Sequence, residues 1–390
     1  MPEICIAVLL LVIFNLIMAT KVQAQILDSL FRVALNALSD KSCESAVVSP
    51  FSIGMALAVL NVGAKGNTSQ EITEAAFNGI PKNQITAWFR EQLGRIHDLQ
   101  KNPLSIASGI YVDESLMAVE KFRVDIAQNF DSHFEKVDFV NNPEIQRAAL
   151  NAFVKEVTMN EIPALFSNSD ITSDTKVIIV NAMHLASAFM SAFNEENTKE
   201  EMFYNEDGST KEILTMSGTK EGQYFENEEF QLAQLSFEDQ GFSFLFMVPK
   251  IGTLEELKEK LFASNSVLST TLSSTQKIPK IHISIPKFKV EASYDLKDAL
   301  QRQGIIEVFE AGQANLTGIS EDPLNVSGVI HKSVFDLHEG GVKAAAATAI
   351  VAVKCMMMPM DPEERTIKAE KPFLYGVTYN GAPLFVGQFY

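Results

Sequence analysis

The sequence predicts an α+β fold that forms a single domain behind a short N-terminal leader. Helical spacing of apolar residues dominates the first part of the chain and strand-like segments dominate the rest, an order typical of α+β proteins and not of repeating βαβ units. The chain has 390 residues, 46% of them hydrophobic, which is ample for a large core. No low-complexity linker or internal repeat divides it, so residues 25–390 are expected to be one domain.

Residues 1–24 are expected to be a signal peptide. Ile4–Met18 is apolar apart from one asparagine, and Val22 and Ala24 have the small-residue spacing of a signal-peptidase site. The apolar run is short for a membrane span, although no Lys or Arg precedes it, so an uncleaved anchor remains the alternative. The mature protein is therefore expected to begin at Gln25, to be secreted and extracellular, and to lie free of membranes.

Apolar residues at helical spacing predict a helix through Ile85–Leu99 and another through Ile145–Val157. Pro143 is well placed in the first turn of the second helix. Ser293–Gln303 is predicted to be helical as well. The Ser/Thr-rich run Ser269–Thr275 is predicted to be a loop.

Strands are predicted where apolar residues run continuously or alternate with polar ones. One continuous run, VIIVNAM, fits a strand that is buried on both faces. One alternating segment contains two prolines, which should keep it near sheet edges. The predicted strands are Ser105–Val112, Val177–Met183, Phe242–Val248, Ile278–Val290 and Ser327–Leu337.

The charge and the motifs exclude several classes of function. A net charge of −17 and a pI near 4.9 make nucleic acid and anionic membranes poor partners. The sequence contains no G-x-S-x-G, H-E-x-x-H or G-x-G-x-x-G motif, and its six histidines are scattered. Gly63–Ser69 resembles a phosphate loop in composition only, because Lys65 precedes the second glycine. We therefore expect no catalytic residue, no cofactor and no metal.

The cysteines and the glycosylation sequons place few constraints on the predicted fold. Of the three cysteines, Cys5 leaves with the leader, and the remaining Cys43 and Cys355 are too few for a disulfide scaffold. The fold must therefore be stabilised by its core. Candidate sites of N-glycosylation are Asn67, Asn315 and Asn325, each a three-residue match of the kind that also arises by chance.

The segment HEGGVKAAAATAIVAVKCMMMP near the C-terminus is the most unusual feature of the sequence. Two glycines begin it, its alanines favour a helix and Ile350–Val353 favours a strand, so no local preference decides its structure. As a strand it could enter a sheet, because every residue of one face is small or apolar. That face carries Val342, Ala344, Ala346, Thr348, Ile350 and Ala352. The alternative is a mobile alanine-rich surface loop.

The residues around this segment resemble those of the serpins, protease inhibitors that act by inserting a loop into a sheet. HKSVFDLHEGGVKAAAATA resembles the serpin hinge, and VVSPFSI, LNVGAKGNTSQEI, VNAMHLASAFMSAF, ANLTGIS and KPFLYGV extend the resemblance over nearly the whole mature chain. The resemblance implies three β-sheets, eight to nine helices and an exposed reactive loop at about residues 340–359. It assigns the hinge to Glu339, Gly341, Val342, Ala344, Ala345, Ala346, Ala347 and Thr348.

Some positions depart from the serpin pattern. The family usually has Trp at the position of Phe189 and Lys-Gly-Lys at residues 186–188, which are Ala, Ser and Ala here. The first loop position is usually Thr or Ser and is Val342, which should still insert. The next is usually Glu and is Lys343, which should face outward.

The resemblance implies a suicide substrate and not an enzyme. Counting as in the family places the scissile bond at Cys355–Met356, with Lys354 and Met357 as alternatives. The expected partner is a serine or cysteine protease, held as a covalent acyl complex by a monomeric inhibitor. The alternative is a non-inhibitory serpin that serves as a binding, carrier or storage protein.

Overall fold

The computed structural model describes residues 2–99, 101–264, 266–343 and 363–390, with backbone alone for residues 2–19. The helices within these ranges are α1 (Pro2–Leu38), α2 (Pro50–Gly63), α3 (Gly66–Phe77), α4 (Lys82–His97), α5 (Glu120–Phe130), α6 (Pro143–Val157), α7 (Leu254–Ala263), α8 (Val267–Ser274) and α9 (Lys297–Arg302). No helix in this described part of the chain is both long and apolar enough to cross a membrane.

The strands supply most of the second half of the fold. They are β1 (Ala46–Val48), β2 (Leu104–Asp113), β3 (His133–Val137), β4 (Val177–Leu185), β5 (Ser187–Ala188), β6 (Lys199–Tyr204), β7 (Thr210–Glu226), β8 (Phe230–Ser236), β9 (Phe242–Pro249), β10 (Gln276–Pro286), β11 (Phe288–Asp295), β12 (Ile330–His338), β13 (Gly341–Val342), β14 (Glu364–Lys368), β15 (Phe373–Tyr379) and β16 (Ala382–Phe389). This mixture confirms the predicted α+β class.

The larger hydrogen-bonded sheet has the order β1-β16-β15-β9-β8-β7-β10-β14, with β6 also paired to β7. Strand β7 is 17 residues long and joins two groups of strands. Residues 210–215 of β7 pair with β6, residues 215–224 pair with β10, and residues 223–226 pair with β8. The resemblance implied three sheets, but the described strands form two hydrogen-bonded sheets, because β7 is long enough to join β6 and β10 to β8.

The second sheet has the order β3-β2-β4-β12-β13-β5, with β11 paired to β12. Strand β4 is buried along its whole length because both of its faces are covered. Ile178, Val180 and Ala182 lie in a cluster with Leu150 and Val154 of α6. The alternate residues of β4 face the main core. The continuous apolar run of this strand is thus explained by burial on both sides.

Several predicted elements are confirmed, since α4, α6, β2, β4 and β9 lie where the periodicity placed them. The prediction of a loop at 269–275 was wrong, because α8 covers most of it. Asp28 of α1 accepts hydrogen bonds from the backbone N–H and the hydroxyl of Ser269, and Leu268 is buried. These contacts with a distant helix override the weak helix propensity of Ser and Thr.

The segment 278–290 was predicted as one strand near sheet edges, and it forms two strands in different sheets. Strand β10 lies between β7 and β14, and its register shifts between Ile278 and Ile281, around Pro279. Pro286 is the last residue of β10, and β11 then begins in the second sheet. The predicted helix at 293–303 is correspondingly shorter, because β11 extends to Asp295.

Candidate functional site

The hinge begins in a tight hairpin at the end of β12. Strand β13 pairs antiparallel with β12, with Gly341 opposite His338 and Val342 opposite Leu337. On its other side β13 pairs antiparallel with β5, with Gly341 opposite Ala188. The backbone N–H of Lys343 continues the first ladder by donating to the Asp336 carbonyl at 3.1 Å. The start of the hinge therefore already occupies a strand position between β5 and β12.

Backbone geometry at the hinge depends on Gly341 and Lys343. Gly341 has a φ of +138°, and a Cβ at this position would lie 2.4 Å from the carbonyl oxygen of Ser187. Val342 is buried in the main core. Lys343 has a φ of +42° and its ammonium forms an ion pair with Glu161, which follows α6. The chain thus turns left-handed where the short strand ends, with Lys343 directed toward the α6 side of the sheet.

The carboxylate of Glu339 fixes the turn of the hairpin. It is buried, and it accepts hydrogen bonds from the Thr198 hydroxyl at 2.8 Å and the Lys287 ammonium at 2.9 Å. Burial raises the pKa of Glu339, but the hydrogen bonds from Lys287 and Thr198 outweigh this effect and hold the pKa below its ordinary value. Glu339 is therefore a charged anchor that is fully paired.

Aromatic residues close the site at the position where the family usually has Trp. Phe189 is buried, stacks on Phe237 at a centroid distance of 5.2 Å and meets Phe193 edge-on. The backbone N–H of Phe189 donates to the Gly340 carbonyl at 2.8 Å. The ammonium of Lys220 lies 4.5 Å from the Phe193 ring centre, and burial lowers the pKa of Lys220 to about 8. Phe189 thus fills the position of the usual Trp by ring stacking.

Below the hairpin, β4 and β12 meet along a boundary that we call the seam. The two strands are parallel and are paired at Ala182 opposite Lys332 and at Met183 opposite Ser333. Toward the hairpin the strands separate, and β13 lies between β12 and β5. The seam is thus closed by a short ladder directly ahead of the hinge.

A buried polar network lies on the core side of the seam. The Nε2 atom of His331 accepts a hydrogen bond from the Ser49 backbone N–H at 3.0 Å and lies 2.8 Å from the Ser333 hydroxyl. Asn181 of β4 donates to the Ser52 carbonyl of α2 at 2.6 Å. Burial lowers the pKa of His331 to about 3, so the ring is neutral at physiological pH. The network connects the start of α2 to both strands of the seam.

Ser49, Asn181 and Ser333 lie in segments that carry the serpin resemblance, but no role was predicted for them from the sequence. The available signal was the presence of polar side chains in otherwise apolar, buried segments, since a buried polar group needs a partner. Of the predicted hinge, Glu339, Gly341 and Val342 are brought together in one hairpin. The other predicted loop residues lie outside the described residues: Ala344, Ala345, Ala346, Ala347, Thr348, Lys354, Cys355, Met356 and Met357.

The candidate glycosylation sites differ in environment. Asn67 is exposed at the start of α3, and Asn315 lies nearby, since its carbonyl accepts from the Lys65 N–H at 2.9 Å. The side-chain amide of Asn325 is half-buried and donates to the Phe309 carbonyl at 3.2 Å. Asn67 is the most accessible acceptor of the three, because it is exposed whereas Asn315 and Asn325 are half-buried. Cys43 is exposed and free.

Comparison with known proteins decides the family. The family model described as Serpin (serine protease inhibitor) matches residues 30–390. Human Serpin B4 is 30% identical over 363 residues, covering 87% of this chain and 92% of that protein. The chain belongs to the serpin family. The bovine leukocyte elastase inhibitor is 29% identical to this serpin over 353 residues, covering 87% of this chain and 91% of the inhibitor.

Solved structures confirm the serpin fold. Human thyroxine-binding globulin complexed with thyroxine has a TM-score of 0.80 at 22% identity and covers 95% of this serpin and 98% of its own chain. The proteins that this serpin resembles thus include one named as an elastase inhibitor and, in fold, one named for binding thyroxine. The family is described as serine protease inhibitors and the bovine relative is named for inhibiting an elastase, so target proteases are the kind of partner that inhibitory relatives of this serpin bind.

Proposed function

We propose that this serpin is a secreted inhibitor of proteases of the serine class, with the cysteine class as a second target, that acts as a suicide substrate. A protease cleaves the loop, remains bonded to it as an acyl-enzyme, and is trapped when the loop enters the seam between β4 and β12. The observation that carries this proposal is the hairpin of β12 and β13, because its register leads directly into the seam.

The register can be continued residue by residue. Gly341 and Val342 lie opposite Ala188 and Ser187 on one side and opposite His338 and Leu337 on the other. Continued down the sheet, residue 346 would lie between Met183 and Ser333, and residue 347 between Ala182 and Lys332. These are the two residue pairs that close the seam now.

Loop entry must therefore replace the present ladder with two new ones. Neighbouring strands lie about 4.8 Å apart, so β4 and β12 would have to separate to about twice that distance. The ladder that is lost is short, and each of its hydrogen bonds contributes only about 1 kcal/mol net. A full inserted strand would form hydrogen bonds on both sides, so the inserted state would be the more stable one.

The side chains at these positions favour entry. In the continued register, residues 344, 346 and 348 would share the core-facing side with Val342, and all are small or apolar. Residue 343 would face α6, where Lys343 already contacts Glu161. No charged side chain of the loop would therefore face the core as far as residue 352.

The chemistry belongs to the protease. Its nucleophile would attack the carbonyl carbon of Cys355, bond to that acyl group, and release the amine of Met356. Cysteine at this position suits the medium-sized apolar pockets of elastase-like or chymotrypsin-like proteases. Cleavage after Lys354 would instead suit a trypsin-like protease.

Secretion is part of the proposal. The leader at residues 1–24 would direct the chain out of the cell, and the mature protein would begin at Gln25 as a monomer. Asn67 would be its first site of glycosylation, because that side chain is the most exposed of the three candidates.

The test is formation of a covalent adduct. Residues 25–390 are incubated with chymotrypsin, elastase or trypsin, boiled in detergent, and examined on a gel and by mass spectrometry. We expect a band of the combined mass with one of these proteases, and a released peptide that begins at Met356. Protease blocked beforehand at its active-site serine is the control and should give no adduct. Complete cleavage without any adduct would instead support a non-inhibitory binding or carrier protein.

A further inference from the structure

A cavity of about 580 Å³ lies between α4 and α5, on a part of the molecule that the proposed inhibitory mechanism does not use. One side is formed by Lys82, Thr86 and Arg90, which recur every four residues along α4 and so share one face of that helix. The start of α3 contributes Lys65. The volume is typical of small-molecule sites.

The lining of this cavity is cationic although the protein is strongly acidic. It contains four cations and one carboxylate in a chain with a net charge of −17. That carboxylate, Asp125, is bound by the Lys121 ammonium at 2.5 Å. Lys65 and Arg90 form no ion pair within the described ranges of the chain. Positive charge in the cavity is therefore left uncompensated.

Two of these cations lie close enough to repel each other. Lys82 is half-buried and donates to the Ala64 carbonyl at 3.1 Å, which fixes its ammonium in the wall. Burial, together with the charge of Lys65, lowers the pKa of Lys82. Holding two cations together at a partly buried site costs free energy, and a bound anion would remove that cost.

The floor of the cavity is apolar. Val62 at the end of α2, Val119 just before α5 and Phe122 within α5 line it, and Phe122 is buried. A ligand that contacted only the cations would leave this apolar surface exposed to water. The combination calls for a ligand with an acidic group at one end and an apolar body at the other.

We propose that this cavity binds a small organic anion, with its sulfonate, phosphate or carboxylate group held by Lys65, Lys82 and Arg90 and its apolar part against Val62 and Phe122. A linear polyanion fits less well, because the cations surround one open cleft instead of following an exposed line along the surface. The neighbouring surface of α4 carries Glu91, paired with Arg95 at 2.6 Å. Lys65 of Gly63–Ser69 would thus bind an anion together with residues of α4, and not as part of a phosphate loop.

The probe for this site is 8-anilinonaphthalene-1-sulfonate, which has a sulfonate on an aromatic body. Its fluorescence is measured while residues 25–390 are added, and the titration is repeated with two variants, each of which removes a different feature of the cavity. Lys82→Gln/Arg90→Gln removes charge, and Ala87→Phe fills the cavity from the exposed surface of α4 without changing charge. The matched control is Lys155→Gln, an exposed lysine of α6. If the double variant has a thermal midpoint well below that of the parent, Arg90→Gln alone is used in its place.

We expect both cavity variants to weaken probe binding at least about tenfold, and Lys155→Gln to leave it unchanged, since charge-assisted contacts and apolar burial are each removed. We also expect 2-naphthalenesulfonate to displace the probe at concentrations at least about tenfold below those of inorganic sulfate. Binding that is the same in the parent and both variants would overturn the proposal. So would tight binding of a sulfated oligosaccharide that is lost with the charges but kept in Ala87→Phe. No protease is present in any arm, so the result is independent of the inhibitory mechanism.

Discussion

Strand β4 is joined to its two neighbours in very different ways. On one side it pairs antiparallel with β2 along its whole length, from Val177 opposite Val112 to Leu185 opposite Leu104. On the other side it pairs parallel with β12 at Ala182 and Met183 among the described residues. Both sides belong to one sheet and share the same core, so their difference reflects pairing and not burial.

The difference identifies where the sheet can open. A long antiparallel ladder is held by many hydrogen bonds, and opening it would expose all of them. The β4–β12 seam is held by a short ladder, with the β13 hairpin already placed above it. On the core side of this seam, hydrogen bonds of His331 with Ser49 and Ser333 hold β12 against the start of α2.

The largest effect on this seam is expected from Ala346→Arg. In the continued register residue 346 would enter the core between Met183 and Ser333, and burying an unpaired charge there costs several kcal/mol. A rise of about 3 kcal/mol in the insertion barrier would slow insertion about 100-fold. The protease would then complete hydrolysis, and the gel should show cleaved serpin with no adduct.

Lys343→Arg is the matched control for Ala346→Arg. It keeps the charge next to Glu161, on the side of the sheet that faces α6. We expect the adduct yield of this variant to equal that of the parent. Equal damage from both substitutions would contradict the alternation of core-facing and α6-facing residues.

The second largest effect is expected from acid, which should lower the free energy of unfolding through the protonation of His331. The pKa of His331 is about 3 in the folded protein and 6.5 ordinarily, so between these values the unfolded chain binds more protons and stability falls as pH falls. From pH 7 to pH 5 the loss is about 2 kcal/mol, since the slope below pH 6.5 is about 1.4 kcal/mol per pH unit. Urea unfolding at the two pH values measures it.

His331→Gln is the control for this pH effect. The burial of His184 also lowers its pKa, so part of the acid sensitivity should remain in the variant. The share that belongs to His331 should disappear, and the variant should lose less stability than the parent between pH 7 and pH 5. Identical losses would show that protonation of His331 does not contribute to the loss of stability. The range stops at pH 5 because Glu339 titrates below its ordinary value of 4.5.

The smallest effect is expected from the contact between the hinge and the segment after α6. Lys343→Glu replaces an ion pair with two like charges beside Glu161. The side chain of Lys343 is 39% exposed, so the change in unfolding free energy should stay below about 1 kcal/mol. Adding Glu161→Lys restores opposite charges and should restore stability. A double variant with a lower free energy of unfolding than either single variant would show that the ion pair does not form.

Long periodic elements could be predicted from the sequence because their burial is encoded locally. The predicted α4, α6 and β4 each carry an apolar pattern that matches the faces they bury. Helix α8 could not be predicted, because its stability comes from Asp28 in a helix far away along the chain. Pro279 and Pro286 predicted a position near sheet edges. Instead, a register shift accommodates Pro279, and β10 ends at Pro286.

The hinge could be located in the sequence only because it resembles a family pattern. Two glycines and a run of alanines fit a mobile loop as well as an inserting strand, and no local preference separates the two. The partners that fix the described hinge are distant in sequence, such as Thr198 and Lys287 on Glu339. The same holds for the contact between His331 and Ser49. Such contacts depend on the tertiary fold and leave no short-range signal.

The most direct test of loop insertion is the thermal midpoint of the protein before and after a single cut near residue 355. If the freed strand enters the seam, several ladder hydrogen bonds of about 1 kcal/mol each are added, and each kcal/mol raises the midpoint by about 2 °C in a protein of this size. We therefore expect a rise of at least about 10 °C in the parent and little or none in Ala346→Arg. Equal midpoints for intact and cut parent protein would contradict insertion between β4 and β12.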